Sequence, residues 1–243
     1  MNSEYIQSLA VKNRFNRQDL FRLFCENGYV TGEESLKKKL HSLLNTGAVV
    51  RVGRNAYCIP TKNVQQYEYQ YSALSNDVAK LIQEKHPFLS FLIFELSQLN
   101  EFINHQIAHN VIFVSVENEI MDFVFDTLKE AYPGRVLKNP TPEIFHQYWT
   151  EDMIVLIKMV TETPKGKKQK WHTRIENVLV DLISVQLLQE SISESEYPII
   201  FEDAFDRYVV DESCLFRYAR RRNTDKKIKA LITEKTNILL RVG

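Results

Sequence analysis

TGEESLKKKLHSLLNTGAVVRVGRNAYCIP, residues 31–60, is the stretch whose reading decides the fold of the N-terminal part. Thr31 followed by Glu34 has the spacing of a capping box, so a helix is expected over 32–45. Leu36, Leu40, Leu43 and Leu44 recur at three- and four-residue intervals and make its buried stripe. Lys37, Lys38, Lys39 and His41 fall mainly on the other faces, and Thr46-Gly47 ends the helix. Two short β-rich runs then flank Gly53-Arg54-Asn55, which suits a tight hairpin turn, and Pro60 closes the unit.

Upstream, Asn16 is the expected N-cap of a helix over 17–26, with Leu20, Phe21, Leu23 and Phe24 at helical spacing and Asn27-Gly28 as its stop. Residues 3–13 read as a further amphipathic helix carrying Tyr5, Ile6, Leu9 and Ala10 on one side. Three helices followed by a hairpin, with a basic third helix and a basic tip, is the pattern of a winged helix-turn-helix over residues 1–60. Such a unit lays its last helix in the major groove of DNA. Lys37, Lys38, Arg51 and Arg54 are then the expected phosphate contacts, and Ser35 and Lys39 the residues expected to face base edges.

Charge distribution agrees. The chain carries 31 Lys/Arg and 31 Asp/Glu, which cancel. Residues 1–60, however, hold nine Lys/Arg against five Asp/Glu, a surplus of four that the remainder offsets. A basic head on a mildly acidic body is the asymmetry expected of a protein that binds a nucleic acid.

Beyond the head, residues 61–71 read as a linker or a first strand, and 72–243 as an α/β domain with a helical C-terminal half, giving an α+β chain. The expected elements are a helix over 77–85, strands over 88–95, 111–116, near 135–137 and 153–160, and a helix over 119–131. Helices over 175–190, 199–208, 212–221 and 224–234 follow. The longest apolar runs are too short to span a bilayer, and the N-terminus lacks the basic and apolar regions of a signal peptide. Cys25, Cys58 and Cys214 form no CxxC pair, so reduced thiols in the cytoplasm are expected.

Two segments resemble AbiEi-type antitoxins. The run from Asn45 to Pro60 is similar to that family's wing, in which a leucine-rich helix precedes G-x-two hydrophobics-R-hydrophobic-G-R-G-x-Y. Arg174-Ile-Glu-Asn-Val-Leu-Val-Asp-Leu-Ile183 is similar to its later helix motif. Asn55 stands where the wing glycine is usual, and Glu176-Asn177 where a threonine–proline pair is common. The resemblance implies a repressor of its own operon whose C-terminal domain antagonises a nucleotidyltransferase-like toxin protein encoded beside it.

Other residues bear on partners or chemistry. Lys165, Lys167, Lys168 and Lys170 surround Trp171 in one basic run, and Arg220, Arg221 and Arg222 lie in another. Each is either a solvated surface or a second contact to an anion, because like charges at that density repel. Asp181 lies in an apolar helical run and calls for a buried partner, such as an arginine. Among seven glycines there is no phosphate-cradling run. His105 and His109 lack the intervening glutamate of a zinc helix, so neither metal nor cofactor is expected. Asp152, Lys158, Glu162 and Lys165 could mimic the acid–lysine core of a restriction-type nuclease. The readings in play are thus a DNA-binding regulator, a DNA-binding protein with a nuclease-type C-terminal domain, and a protein-interaction module. No residue pattern sets the oligomeric state.

Overall fold

The computed structural model describes residues 6, 8, 9, 14–53, 55–60, 64–103 and 106–240. Its architecture is mixed α and β. The expected helix over 3–13 lies largely outside these residues, although Ile6 and Leu9 are buried in the N-terminal core.

Asn16 opens helix α1 (Arg17–Glu26) with a full capping box. Its side chain accepts from the Asp19 N–H, and Asp19 accepts in return from the Asn16 N–H, both at 2.9 Å. Helix α2 (Glu33–Asn45) starts differently from expectation. Gly32, not Thr31, is its N-cap, and Ser35 rather than Glu34 reaches back. The Ser35 hydroxyl accepts from Gly32 N–H (3.2 Å) and Thr31 N–H (3.3 Å) and donates to the Gly32 carbonyl (2.8 Å). A short hydroxyl at the third helical position satisfies the orphan donors as a glutamate would. Leu36, Leu40 and Leu43 of α2 meet Leu20 and Phe24 of α1 in one core, closed by Val49, Phe15 and Tyr57.

The hairpin β1 (Val50–Gly53) and β2 (Ala56–Cys58) turns through Asn55, whose φ is 54°. Its two faces differ. Tyr57 joins the core beneath α1 and α2, whereas Val50, Val52, Ala56 and Cys58 form a separate apolar cluster packed against Val209 of the body.

The body is built on a four-stranded sheet in the order β3 (Phe91–Glu95), β4 (Val111–Val116), β6 (Met153–Lys158), β5 (Val136–Lys138). β3 pairs antiparallel with β4, while β4–β6 and β6–β5 are parallel. Strands covered on both faces are apolar along their whole length. In β4 and β6, Ile112, Val114, Ile154 and Leu156 meet helices α3 (Ala73–Lys85) and α4 (Met121–Ala131) on one face. Val111, Phe113, Met153 and Val155 alternate to the other. There they meet α6 (Ile175–Ser184), α8 (Tyr197–Arg207), α9 (Glu212–Arg221) and α10 (Asp225–Lys235). The helical C-terminal half is therefore the third layer over the sheet rather than an appendage to it. The expected helix over 175–190 breaks at Val185, which is extended, and resumes as the short α7 (Gln186–Gln189), burying Leu187 and Leu188. Sequence reading missed α5 (Pro142–Gln147), although Thr141 caps it and Pro142 fits a first helical turn.

Of the two readings of residues 61–71, linker or first strand, the extended one describes the structure better. Residues 61–63 lie outside the described set, but 64–72 are an extended strap docked on the body. Gln65 pairs with Tyr208 as an isolated bridge. Tyr67, Tyr69 and Tyr71 point inward at the period of a strand. The Tyr67 hydroxyl reaches Gln98 (3.4 Å) and that of Tyr69 donates to Glu95 (2.8 Å). The Tyr71 hydroxyl donates to the Ile93 carbonyl (3.0 Å) and accepts from the Thr173 N–H (2.9 Å). Three polar anchors in nine residues make this segment part of the domain.

Replacing Tyr71 by Phe keeps the ring and removes the hydroxyl, leaving a buried carbonyl and a buried N–H each short of a partner. The expected loss is about 1–3 kcal/mol in urea unfolding. Tyr148→Phe, at an exposed position, serves as the control and should be neutral. Equal stability of the two variants would show that the strap is held by ring packing alone.

Candidate nucleic-acid interface

Helix α2 turns its leucines inward, so its periodicity fixes what faces solvent. Lys37, Lys38, His41 and Asn45 share the face opposite Leu36, Leu40 and Leu43, and all four are exposed. Neither lysine has an ion-pair partner among the described residues. His41 and Asn45, not among the expected contacts, complete the strip and lie 3.2 Å apart through Nε2 and Nδ2.

Ser35 and Lys39 do not share this strip. The Ser35 hydroxyl is committed to the helix start, as described above. Lys39 is half-buried on the flank, with its ammonium 5.9 Å from the centre of the Tyr29 ring. Arg51 alternates with the docked Val50 and Val52, so it is exposed on the outward side of β1, its Nε donating to the Gly53 carbonyl (3.1 Å). Arg54 lies outside the described residues.

Asn55 explains its own presence in the turn. Asparagine tolerates the left-handed backbone that glycine favours. Its Oδ1 also accepts from the Arg17 N–H at 3.1 Å, tying the hairpin tip to the first turn of α1. Glycine cannot make that bond. Arg17 in turn pairs with Glu33 at the start of α2 (2.7 Å), linking the two helices.

The second basic runs are divided by their partners. Lys168 pairs with Glu68 of the strap (2.7 Å), and Lys167 donates to the neutral Gln66 amide (2.7 Å). Lys165, Lys170 and Arg220 are exposed. Arg221 pairs with Glu162 (2.8 Å), with Arg217 close to the same carboxylate (3.8 Å). Arg222 cannot serve as a surface anion contact. Its side chain is 13% exposed, and its Nη2 lies 3.2 Å from Asp181, itself 10% exposed. Tyr218 donates to the same Asp181 oxygen (2.7 Å) and accepts from Arg222 Nε (3.1 Å). The partner that Asp181 called for is thus Arg222, assisted by a phenol.

The acid–lysine set does not assemble. Asp152 precedes β6 and pairs with Arg135 (3.4 Å), whereas Lys158 ends that strand and Glu162 lies beyond it. Six residues of extended chain separate the first acid from the rest by roughly 20 Å, too far for one metal ion. The described residues contain no group of three or more His, Cys, Asp or Glu that could hold a metal. His109 stacks edge-on against Trp149 (5.0 Å), and His105 lies outside the described set. The three cysteines are free thiols; Cys58 and Cys214 are buried. Among the described residues no helix is long and apolar enough to cross a membrane.

Sequence reading missed Arg174 and Glu176 as a polar pair. Glu176 is 1% exposed, and its Oε1 accepts from the Arg174 guanidinium (2.9 Å) and the Asp211 N–H (2.8 Å). The signal was available: a glutamate beside an arginine at the start of an apolar helix, as Asp181 was within it.

Removing the guanidinium from the Asp181 cluster should be costly. Arg222→Ala leaves a buried carboxylate uncompensated, with an expected loss of about 3–5 kcal/mol. Burial already pushes the Asp181 carboxyl above its ordinary value, and losing Arg222 pushes it further. A carboxyl raised on folding is neutralised as pH falls, so the deficit should be largest at neutral pH and shrink toward the ordinary carboxylate range. Chemical unfolding at pH 7 and pH 5 reads both effects. A deficit independent of pH would assign the loss to packing instead.

Residues 35–238 match the family model of DUF6577, described as a family of unknown function. No curated protein matches the chain. The matched span runs from the first turn of α2 through the hairpin, the strap, the sheet and the helical layer, and leaves out α1. The chain therefore belongs to DUF6577.

Proposed function

We propose that residues 1–60 are a winged helix-turn-helix that binds duplex DNA, and that the protein is a transcriptional regulator. The observation that carries this is the exposed strip Lys37, Lys38, His41 and Asn45 on α2, with Arg51 exposed on the adjoining hairpin. Its cations lie opposite a leucine core and make no ion pairs among the described residues. In this reading α2 enters the major groove, Lys37 and Lys38 contact phosphates, and Arg51 and Arg54 reach the backbone from the hairpin. His41 and Asn45 replace Ser35 and Lys39 as the residues facing base edges.

The regulator's role as an AbiEi-like antitoxin rests on the resemblance of residues 45–60 and 174–183 to that family. It would then repress its own operon and restrain a nucleotidyltransferase-like toxin.

The full chain is the right material for the test, because β1 and β2 bury one face on the body. Full-length protein should retard random duplex DNA at low salt, as basic modules do in the range of about 10⁻⁴–10⁻⁶ M. Lys37→Ala with Lys38→Ala should weaken binding to all sequences and reduce the slope of log K against log salt by about 0.9 per lost phosphate contact. Retention by the double variant equal to that of the parent would sink the assignment of α2 to DNA. Co-expression with the product of a neighbouring reading frame tests the antitoxin role separately: rescue of growth supports it, and unrelieved toxicity removes it.

A further inference from the structure

We propose that the pocket walled by the strap, the lysine turn and Arg174 binds a phosphate monoester of mononucleotide size or smaller. The pocket has a volume of about 290 Å3, and its polar walls are Gln66, Glu68, Lys167, Lys168, His172 and Arg174. It does not depend on the DNA-binding reading, since no residue of α2 takes part.

Charge is the first argument. Two carboxylates line the pocket, Glu68 and Glu176, and each has a basic partner, although Glu176 Oε2 is buried without a hydrogen bond. Glu68 holds Lys168, while Glu176 holds Arg174 and the Asp211 N–H. Lys167, exposed at the pocket mouth, has a neutral amide as its hydrogen-bond acceptor and lies beside Arg174, with the Glu176 and Asp211 carboxylates acting on it without a direct bond. Partial desolvation, and then the Arg174 guanidinium, hold the Lys167 ammonium below its ordinary value. Burial likewise lowers His172, which is therefore neutral at pH 7 and offers no counter-charge. Two neighbouring cations, one of them hydrogen-bonded only to a neutral amide, are stabilised by an incoming anion that bonds to both.

Preorganisation is the second. Arg174 is fixed from behind by the buried Glu176 and is the N-cap of α6, a ten-residue helix whose positive end favours an anion. The turn that carries Lys167 is equally constrained. A Cβ at Gly166 would fall 2.2 Å from the Gln169 carbonyl oxygen and 2.8 Å from the His172 Cβ, so only glycine fits. The strap that carries Gln66 and Glu68 is itself held in place, because Tyr67 and Tyr69 on its inward side are anchored by their hydroxyls to Gln98 and Glu95. Guanidinium and ammonium groups held together in this way match phosphate oxygens. The volume leaves room for a small organic body on the ester oxygen.

Isothermal titration of the full-length protein with adenosine 5′-monophosphate, inorganic phosphate and adenosine tests the site. The monophosphate and phosphate should bind saturably and adenosine should not. Lys167→Ala should weaken the monophosphate by about tenfold or more, as expected for one lost charge-assisted bond, with an unchanged Tm. The Lys37→Ala, Lys38→Ala variant should retain the parent affinity. Absence of saturable binding by both phosphate probes overturns the proposal, as does undiminished binding by Lys167→Ala. Binding of adenosine as tight as that of the monophosphate overturns the phosphate assignment. Should Lys167→Ala weaken duplex DNA retention while the monophosphate fails to bind, the cation belongs to a DNA contact and the small-molecule site is wrong.

Discussion

An edge strand must do something with the backbone groups that face away from its sheet, and here one buried phenol does much of it. β3 is paired on one side only, so the N–H and carbonyl of Ile93 point outward. The carbonyl takes the Tyr71 hydroxyl and the N–H donates to Trp171 (2.9 Å). An unpaired edge invites another chain, and unpaired buried groups are costly. Meeting both demands forces the strap to run along β3 and forces residues 171–173 against the same edge. Those two segments are about a hundred residues apart in sequence, and Tyr71 of the first bonds both to β3 and to Thr173 of the second.

The rest of the candidate chemistry follows from that closure. Because Tyr71 is fixed, Gln66 and Glu68 must face outward on the alternate side of the strap, where Lys167 and Lys168 meet them. Because Thr173 is fixed, Arg174 starts α6 beside the same lysines. The strap also sets the hairpin, since Gln65 pairs at Tyr208 and the adjoining Val209 supports Val50, Val52 and Cys58. The strap and Val209 thus help to set the hairpin on the body, together with the packing of β1 on α9.

Much of this was legible from the sequence wherever the deciding partners were local. The leucines of α2, the Asn16 cap, the turn at Asn55 and the uninterrupted apolar runs of β4 and β6 depend on neighbours within a few residues. Asp181 was legible for another reason: a carboxylate in an apolar helix must find a cation, although which one lay 41 positions away at Arg222. The strap was not legible. Three alternating tyrosines between glutamines suit a linker or a strand equally until the edge strand that needs their hydroxyls is in place. The start of α2 was ambiguous because Thr31, Gly32, Glu34 and Ser35 offer two overlapping caps of similar strength, and backbone geometry rather than side-chain type chose between them. The acid–lysine pattern failed because spacing along a chain ignores that a strand carries its two ends apart.

The basic runs show most clearly how three dimensions revise a linear reading. Counting cations along residues 165–174 or 217–229 treats each as available, but availability is set by acids from elsewhere in the chain. Asp181 withdraws Arg222 into the core, Glu162 holds Arg221, Glu68 holds Lys168 and Glu176 holds Arg174. Most other exposed cations are simply hydrated, so a missing acid matters only where the cation sits beside others on one surface. Lys37 and Lys38 are such residues on a convex helix, where a long polyanion can lie across both. Lys167 is another, but in a concave pocket beside a fixed guanidinium, where only a compact anion fits. In the two proposals made above, shape therefore separates anionic partners that charge alone does not distinguish.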